Sequence, residues 1–153
     1  MQSIDLSGVE QFSDELNKIL DEAPGKRREL HEQLAALAKK EVDSQIAASV
    51  GGNSGKITEW QEPHVGSGGG YAAVRATNSI SGANSPGAIT NYLENGHKIR
   101  PPSGQAKRYH PNIHQPYVDG KHFYQASRAA LESQAIAAAQ RFAGQIADKL
   151  QKG

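Results

Sequence analysis

Apolar positions recur at three- and four-residue steps along the first third of the chain. Val9, Phe12, Leu16 and Ile19/Leu20 share one helical face behind a capping box, Ser7-x-x-Glu10, so a first helix is predicted over about residues 8 to 22. Ala23-Pro24-Gly25 breaks it, because proline cannot continue a helix interior yet suits the first turn of the next helix. In that second, longer helix Leu30, Leu34, Leu37/Ala38, Val42, Ile46 and Val50 form one apolar stripe, leaving Lys39, Lys40, Glu41 and Asp43 largely in water. Gly51-Gly52 has the composition of a C-cap, which makes residues 8–50 a helical region.

The period then changes. Residues 56–60 (Lys-Ile-Thr-Glu-Trp) and 71–77 (Tyr-Ala-Ala-Val-Arg-Ala-Thr) carry β-branched and aromatic side chains on either side of a glycine-rich link, residues 66–70. They predict two antiparallel strands. Asn84-Ser85-Pro86-Gly87 reads as a turn, and residues 88–93 suit a third strand or a short helix, so 56–95 is the strand region. Prolines 101, 102, 111 and 116 stand among basic and histidine residues, and 97–119 is therefore expected to be a long loop without regular structure. From 121 to 150 the stripe returns, with Phe123, Ser127, Leu131, Ala135, Ala138, Phe142, Ile146 and Leu150 on one face. Some thirty helical residues span roughly 45 Å. Three short strands cannot cover that length, so part of this helix must pack on the second helix or on another subunit.

With 153 residues the chain is expected to form a single domain over 1–153. Aromatic residues make up 6% of it, so the predicted core is aliphatic and alanine-rich. Cysteine is absent, which removes disulfides, thiolate nucleophiles and cysteine-based metal sites. There is neither an apolar run long enough to span a membrane nor a secretory pattern at residues 1–5, so the expected location starts in a cytoplasm, with no membrane partner.

Net charge is only +1, but it is unevenly spread. Residues 1–50 sum to −4, whereas residues 96–122 sum to +4 and hold four of the six histidines, His97, His110, His114 and His122. Opposite signs on two regions of one chain suit a head-to-tail contact between copies, and equally suit ordinary charge scatter.

Catalytic chemistry finds little support. Residues 51–56 (Gly-Gly-Asn-Ser-Gly-Lys) imitate a phosphate loop, but the glycine spacing is one residue short, Ile57 follows the lysine, and the order is helix then strand. His110 and His114 have metal-pair spacing, yet Pro111 lies between them and Lys107, Arg108 and Lys121 disfavour a cation. No serine sits in a nucleophile elbow. No catalytic residue, metal ligand or cofactor is therefore assigned. Lys98, Arg100, Lys107, Arg108, Tyr109 and His110 form the candidate contact surface for a partner or for DNA, although no nucleic-acid-reading motif accompanies them.

One stretch adds a resemblance. Tyr92-Leu93-Glu94-Asn95-Gly96-His97, then a proline-rich loop, then Gly120-Lys121-His122-Phe123-Tyr124-Gln125-Ala126 opening an alanine-rich helix, resembles the tail-completion or head–tail joining proteins of long-tailed bacteriophages, including minor tail protein Z-like neck components. Tyr92, Glu94, Gly96, His97, Gly120, Phe123 and Ala126 occupy the matching positions. The resemblance covers residues 26–150, and residues 51–57 only loosely replace the turn usual after the first long helix.

This resemblance implies an α+β fold: a small antiparallel sheet of three to four strands with the long N-terminal and C-terminal helices packed on one face. It further implies a non-enzymatic virion protein, made in the host cytoplasm and assembled as a ring of six in the phage neck, between the connector and the tail tube or tail terminator, in nonspecific contact with passing DNA. Tyr92 is expected to be a core aromatic with a wet hydroxyl, and Gly96 and Gly120 to meet backbone requirements beside the loop. The competing readings are a nonviral α+β protein-interaction module and a small histidine-dependent metal protein.

Overall fold

A computed structural model describes residues 14, 17, 18, 21, 24–99 and 116–152. Asp14, Asn17, Lys18 and Asp21 are helical and exposed, as the polar face of the helix expected over 8–22 requires; the rest of that helix lies outside the described residues. Pro24 opens α1 (Pro24–Val50), and Gly51 follows it at φ +79°, a conformation that glycine adopts without steric cost. Leu30, Ala35, Val42 and Ile46 are its buried positions, close to the predicted stripe. Lys40 is exposed, but Lys39, Glu41 and Asp43 are half-buried, with the Lys39 ammonium paired to Asp43 and donating to the Thr58 carbonyl at 3.2 Å.

One segment expected as a strand is a helix. Residues 56–60 fall mostly in α2 (Ser54–Glu59), where Ile57 is buried and the Lys56 ammonium lies 5.5 Å from the Trp60 ring centroid, an i, i+4 neighbour only in a helix. The first strand begins just later, as β1 (Gln61–Val65), and pairs with β2 (Ala72–Ala76). The backbone bonds from Thr77 N–H to Trp60 O and from Gly66 N–H to Tyr71 O make the pair antiparallel. Pro63 is tolerated because both strands of a two-stranded sheet are edges.

Residues 88–93, for which a third strand or a short helix was expected, belong to the helix α3 (Pro86–Asn95). The serine–proline pair read as a turn is a helix start: Ser85 Oγ accepts from the Ala88 N–H at 3.2 Å, and Pro86 supplies a pre-set φ in the first turn. The segment 97–119 is not wholly irregular either. Its ends form β3 (Gly96–Lys98) and β4 (Tyr117–Asp119), antiparallel with His97 opposite Val118. The described residues thus carry two separate two-stranded sheets, where one sheet of three to four strands was expected. Last comes α4 (Phe123–Lys152), the predicted long helix, with Phe123, Ser127, Ala138, Phe142 and Ile146 buried along its stripe.

The chain divides into two compact units, each taking part of both long helices. Unit 1 comprises residues 1–38, 63–74 and 131–153, and in it the long helices pack together: Leu30 meets Phe142 and Ile146, with Leu34 against them. Its β1–β2 turn approaches α1 closely enough that a Cβ on Gly69 would lie 3.2 Å from Arg28 Cβ. Unit 2 comprises residues 39–62 and 75–130. It buries Val42, Ile46, Ile57 and Phe123 together with the polar Gln61, Ser85, Thr90 and Ser127.

Candidate functional site

The residues that carry the resemblance converge in unit 2, at the junction of α3, the β3–β4 hairpin and α4. The convergence has a local cause. The first N–H groups of a helix need acceptors, and α4 begins at Lys121-His122-Phe123 with no Ser, Thr, Asp or Asn at its cap and no acidic residue in its first turn. Glu94, near the end of α3, supplies them from thirty residues away. Its Oε2 accepts from the Tyr124 N–H at 2.9 Å and its Oε1 from the Gln125 N–H at 3.2 Å. A carboxylate there also meets the positive end of the helix dipole.

Backbone bonds complete the clasp. Lys121 N–H donates to Leu93 O at 2.6 Å and His122 N–H to Glu94 O at 3.1 Å, while His122 O accepts the Ala126 N–H at 2.9 Å. His122 holds φ +52°, the one non-glycine residue with positive φ among those described. Tyr117 hydroxyl donates to Asn95 O at 2.9 Å.

Both glycines are required by contact. Gly96 sits at φ +77°, and a Cβ on it would meet Val118 O, the Tyr117 hydroxyl at 2.6 Å and Gly120 N at 2.8 Å. A Cβ on Gly120 would meet Glu94 O, Asn95 C at 2.8 Å and Gly96 N at 2.9 Å. Two chain segments, residues 94–96 and 117–120, touch here almost backbone to backbone.

Beneath the clasp runs a buried polar chain. Tyr124 hydroxyl donates to Gln61 Oε1, and the Gln61 amide donates in turn to Ile57 O and to Thr90 Oγ1, each at 3.2 Å. Burial, and secondarily the Glu94 carboxylate, push the Tyr124 hydroxyl up from 10.0 to about 12. Phe123 is 1% exposed, its ring centroid 4.9 Å from that of Tyr124.

The hairpin on the clasp is not part of that core. All three β4 residues are exposed, as are His97 and Lys98. Tyr92, expected inside, is 41% exposed with its ring centroid 5.4 Å from that of His97; as residue seven of a ten-residue helix it falls on the solvent face. A backbone bond from Ile99 N–H to Pro116 O at 3.0 Å closes the described part of the hairpin. Arg100, Lys107, Arg108, Tyr109 and His110 lie outside the described residues, as does His114; of the contact surface expected from sequence, only Lys98 is placed.

Sequence reasoning missed Gln61, Thr90 and Tyr124, and assigned Glu94 no hydrogen-bonding role. The uncapped start of α4 was the available signal for Glu94: it calls for a remote acceptor. Elsewhere, unit 1 holds a concavity of about 380 Å³ lined by His31, Leu34, Leu37, Tyr71, Leu131 and Ala135 among others. Among the described residues no three His, Asp or Glu side chains are grouped to hold a metal, and no helix is long and apolar enough to cross a membrane. Comparison with protein-family models, with curated proteins and with solved structures gave no match.

Proposed function

We propose that the protein is a structural component of a tailed bacteriophage virion, a ring-forming neck protein that completes the tail and joins it to the head. The observation that carries this reading is the clasp itself. Tyr92, Glu94, Gly96, His97, Gly120, Phe123 and Ala126, which bear the resemblance, meet at one junction, and its contacts are those of mechanical anchorage: capped N–H groups, glycines without room for Cβ, and a hairpin standing outside the core.

Such an anchor suits an assembly protein. A hairpin fixed at its base holds the exposed Lys98 and Lys121 where a neighbouring protein or DNA can meet them. Alternating contacts between unlike patches are what a cyclic ring requires. Reversing Lys107 and Arg108 to Glu is expected to leave the fold intact and to block joining of heads to tails.

Native mass spectrometry at several concentrations, paired with peptide mass spectrometry of tailed particles from the source cells, tests the reading. It predicts a metal-free cyclic oligomer, six subunits being the expected number, and the chain's peptides in the particles. Stoichiometric bound metal, or absence from the particles, would contradict it.

A further inference from the structure

The close contact that requires glycine at position 96 also creates a reactive peptide bond. Asparagine followed by glycine is open to self-modification, because no side chain on the second residue shields its backbone nitrogen from the asparagine amide carbon. Asn95-Gly96 is such a pair, and Asn95 is exposed. The reaction needs only water. Gly96 N gives up its proton and bonds to Asn95 Cγ, the Cγ–Nδ2 bond breaks, and the amide nitrogen leaves with that proton as ammonia. Water then opens the five-membered imide at one carbonyl or the other. The product is aspartate or, with the main chain rerouted through Cβ, isoaspartate.

The folded clasp blocks the first step. Gly96 N–H donates to Tyr92 O one helical turn earlier, while the Asn95 amide is tied to Asn91, donating to its Oδ1 at 2.8 Å and its backbone O at 3.4 Å. Tyr117 hydroxyl holds Asn95 O at 2.9 Å. The N–H, the carbonyl and the side chain around this peptide bond are therefore all engaged, and turning Gly96 N toward Cγ breaks the set.

Neither product fits the closed clasp. Aspartate at 95 loses the amide donor, faces two acceptors on Asn91 with a carboxylate, and adds negative charge at the negative end of α3 beside Glu94. Isoaspartate adds a carbon to the backbone where residues 94–96 and 117–120 lack room even for a Cβ.

We infer that Asn95-Gly96 is a self-modification site shielded by the clasp: Asn95 deamidates once the clasp opens, and the product keeps the clasp from closing, which makes opening a one-way step.

The test ages the full chain in warm, mildly alkaline buffer, folded and in urea. Peptide mass spectrometry follows Asn95 beside Asn78, which precedes Ser79 and is exposed outside any helix or strand. In urea Asn95 should react ahead of Asn78. In the folded protein it should react about a hundredfold more slowly than in urea, since the reaction waits on opening, while Asn78 stays near its urea rate. Glu94→Gln should speed the folded reaction about tenfold by loosening the clasp. Asn95→Asp, which is one of the two products, and the aged wild type should both exchange the Lys121 and His122 amides about tenfold faster than fresh protein. Folded Asn95 reacting at its urea rate, or no faster in Glu94→Gln than in wild type, would remove the shield. Fresh-protein exchange rates in both the aged chain and Asn95→Asp would remove the one-way step. Either result overturns the inference.

Discussion

Unit 1 and unit 2 are held together by different physics. In unit 1, Leu30, Leu34, Phe142 and Ile146 meet through apolar burial, a force without direction that accepts any side chain of similar volume. In unit 2, the junction of α3, hairpin and α4 depends on a carboxylate placed against two N–H groups, on glycines that admit no Cβ, and on a buried Tyr–Gln–Thr chain. The first region therefore tolerates conservative exchange, whereas the second tolerates almost none. Residues that bear a recognisable motif and residues that build a core need not be the same residues.

The sharpest way to break this contrast is a paired substitution in each region. Phe142→Ala should cost about 4 kcal/mol by urea unfolding, but Phe142→Leu only about 1.5 kcal/mol, because volume is nearly kept. Gly120→Ala adds a single methyl group and should still cost about 3 kcal/mol, since the atoms it meets are backbone. A Gly120→Ala protein as stable as the wild type would abolish the distinction.

Smaller effects sharpen it. Glu94→Gln should cost about 1.5 kcal/mol, as charge-assisted bonds to Tyr124 and Gln125 become neutral ones. Tyr124 titrates at about 12 when folded and near 10.0 when unfolded, so the folded state holds its proton more tightly. Its contribution is complete below pH 10 and is lost as pH rises through 12. Solvent screening reduces the amount to about 1 kcal/mol, read as the extra alkaline destabilisation of wild type over Tyr124→Phe in parallel unfolding curves. At the bottom of the scale, Lys26→Ala breaks an exposed pair with Glu29 and should change stability by less than about 0.5 kcal/mol.

The same contrast explains what the sequence made legible. Unit 1 was readable because its information is periodic: Leu30, Phe142 and Ile146 fall on stripes visible within each helix. The hairpin was not, because β3 and β4 pair across a span that shows no local period, and three-residue strands leave no alternation to detect. Ile57 and Thr58 have strand-like side chains, but they lie in α2, which sets Lys56 over Trp60 one turn on. Ser85-Pro86 looked like a turn because a helix start and a turn use the same residues. Gly96 and Gly120 were read correctly as backbone requirements, but the acceptor role of Glu94 appears only once α4 is brought to it.

Glu94 and the two glycines bind the hairpin and the start of α4 into one cooperative clasp. Native-state amide exchange on the wild type and on Glu94→Gln tests it most directly. The substitution should speed exchange at Tyr124 and Gln125 and, in step with them, at Lys121, His122 and Ile99, while amides near Phe142 keep their protection. Faster exchange confined to Tyr124 and Gln125, with Lys121, His122 and Ile99 unchanged, would show a helix cap and nothing more, and would contradict the clasp.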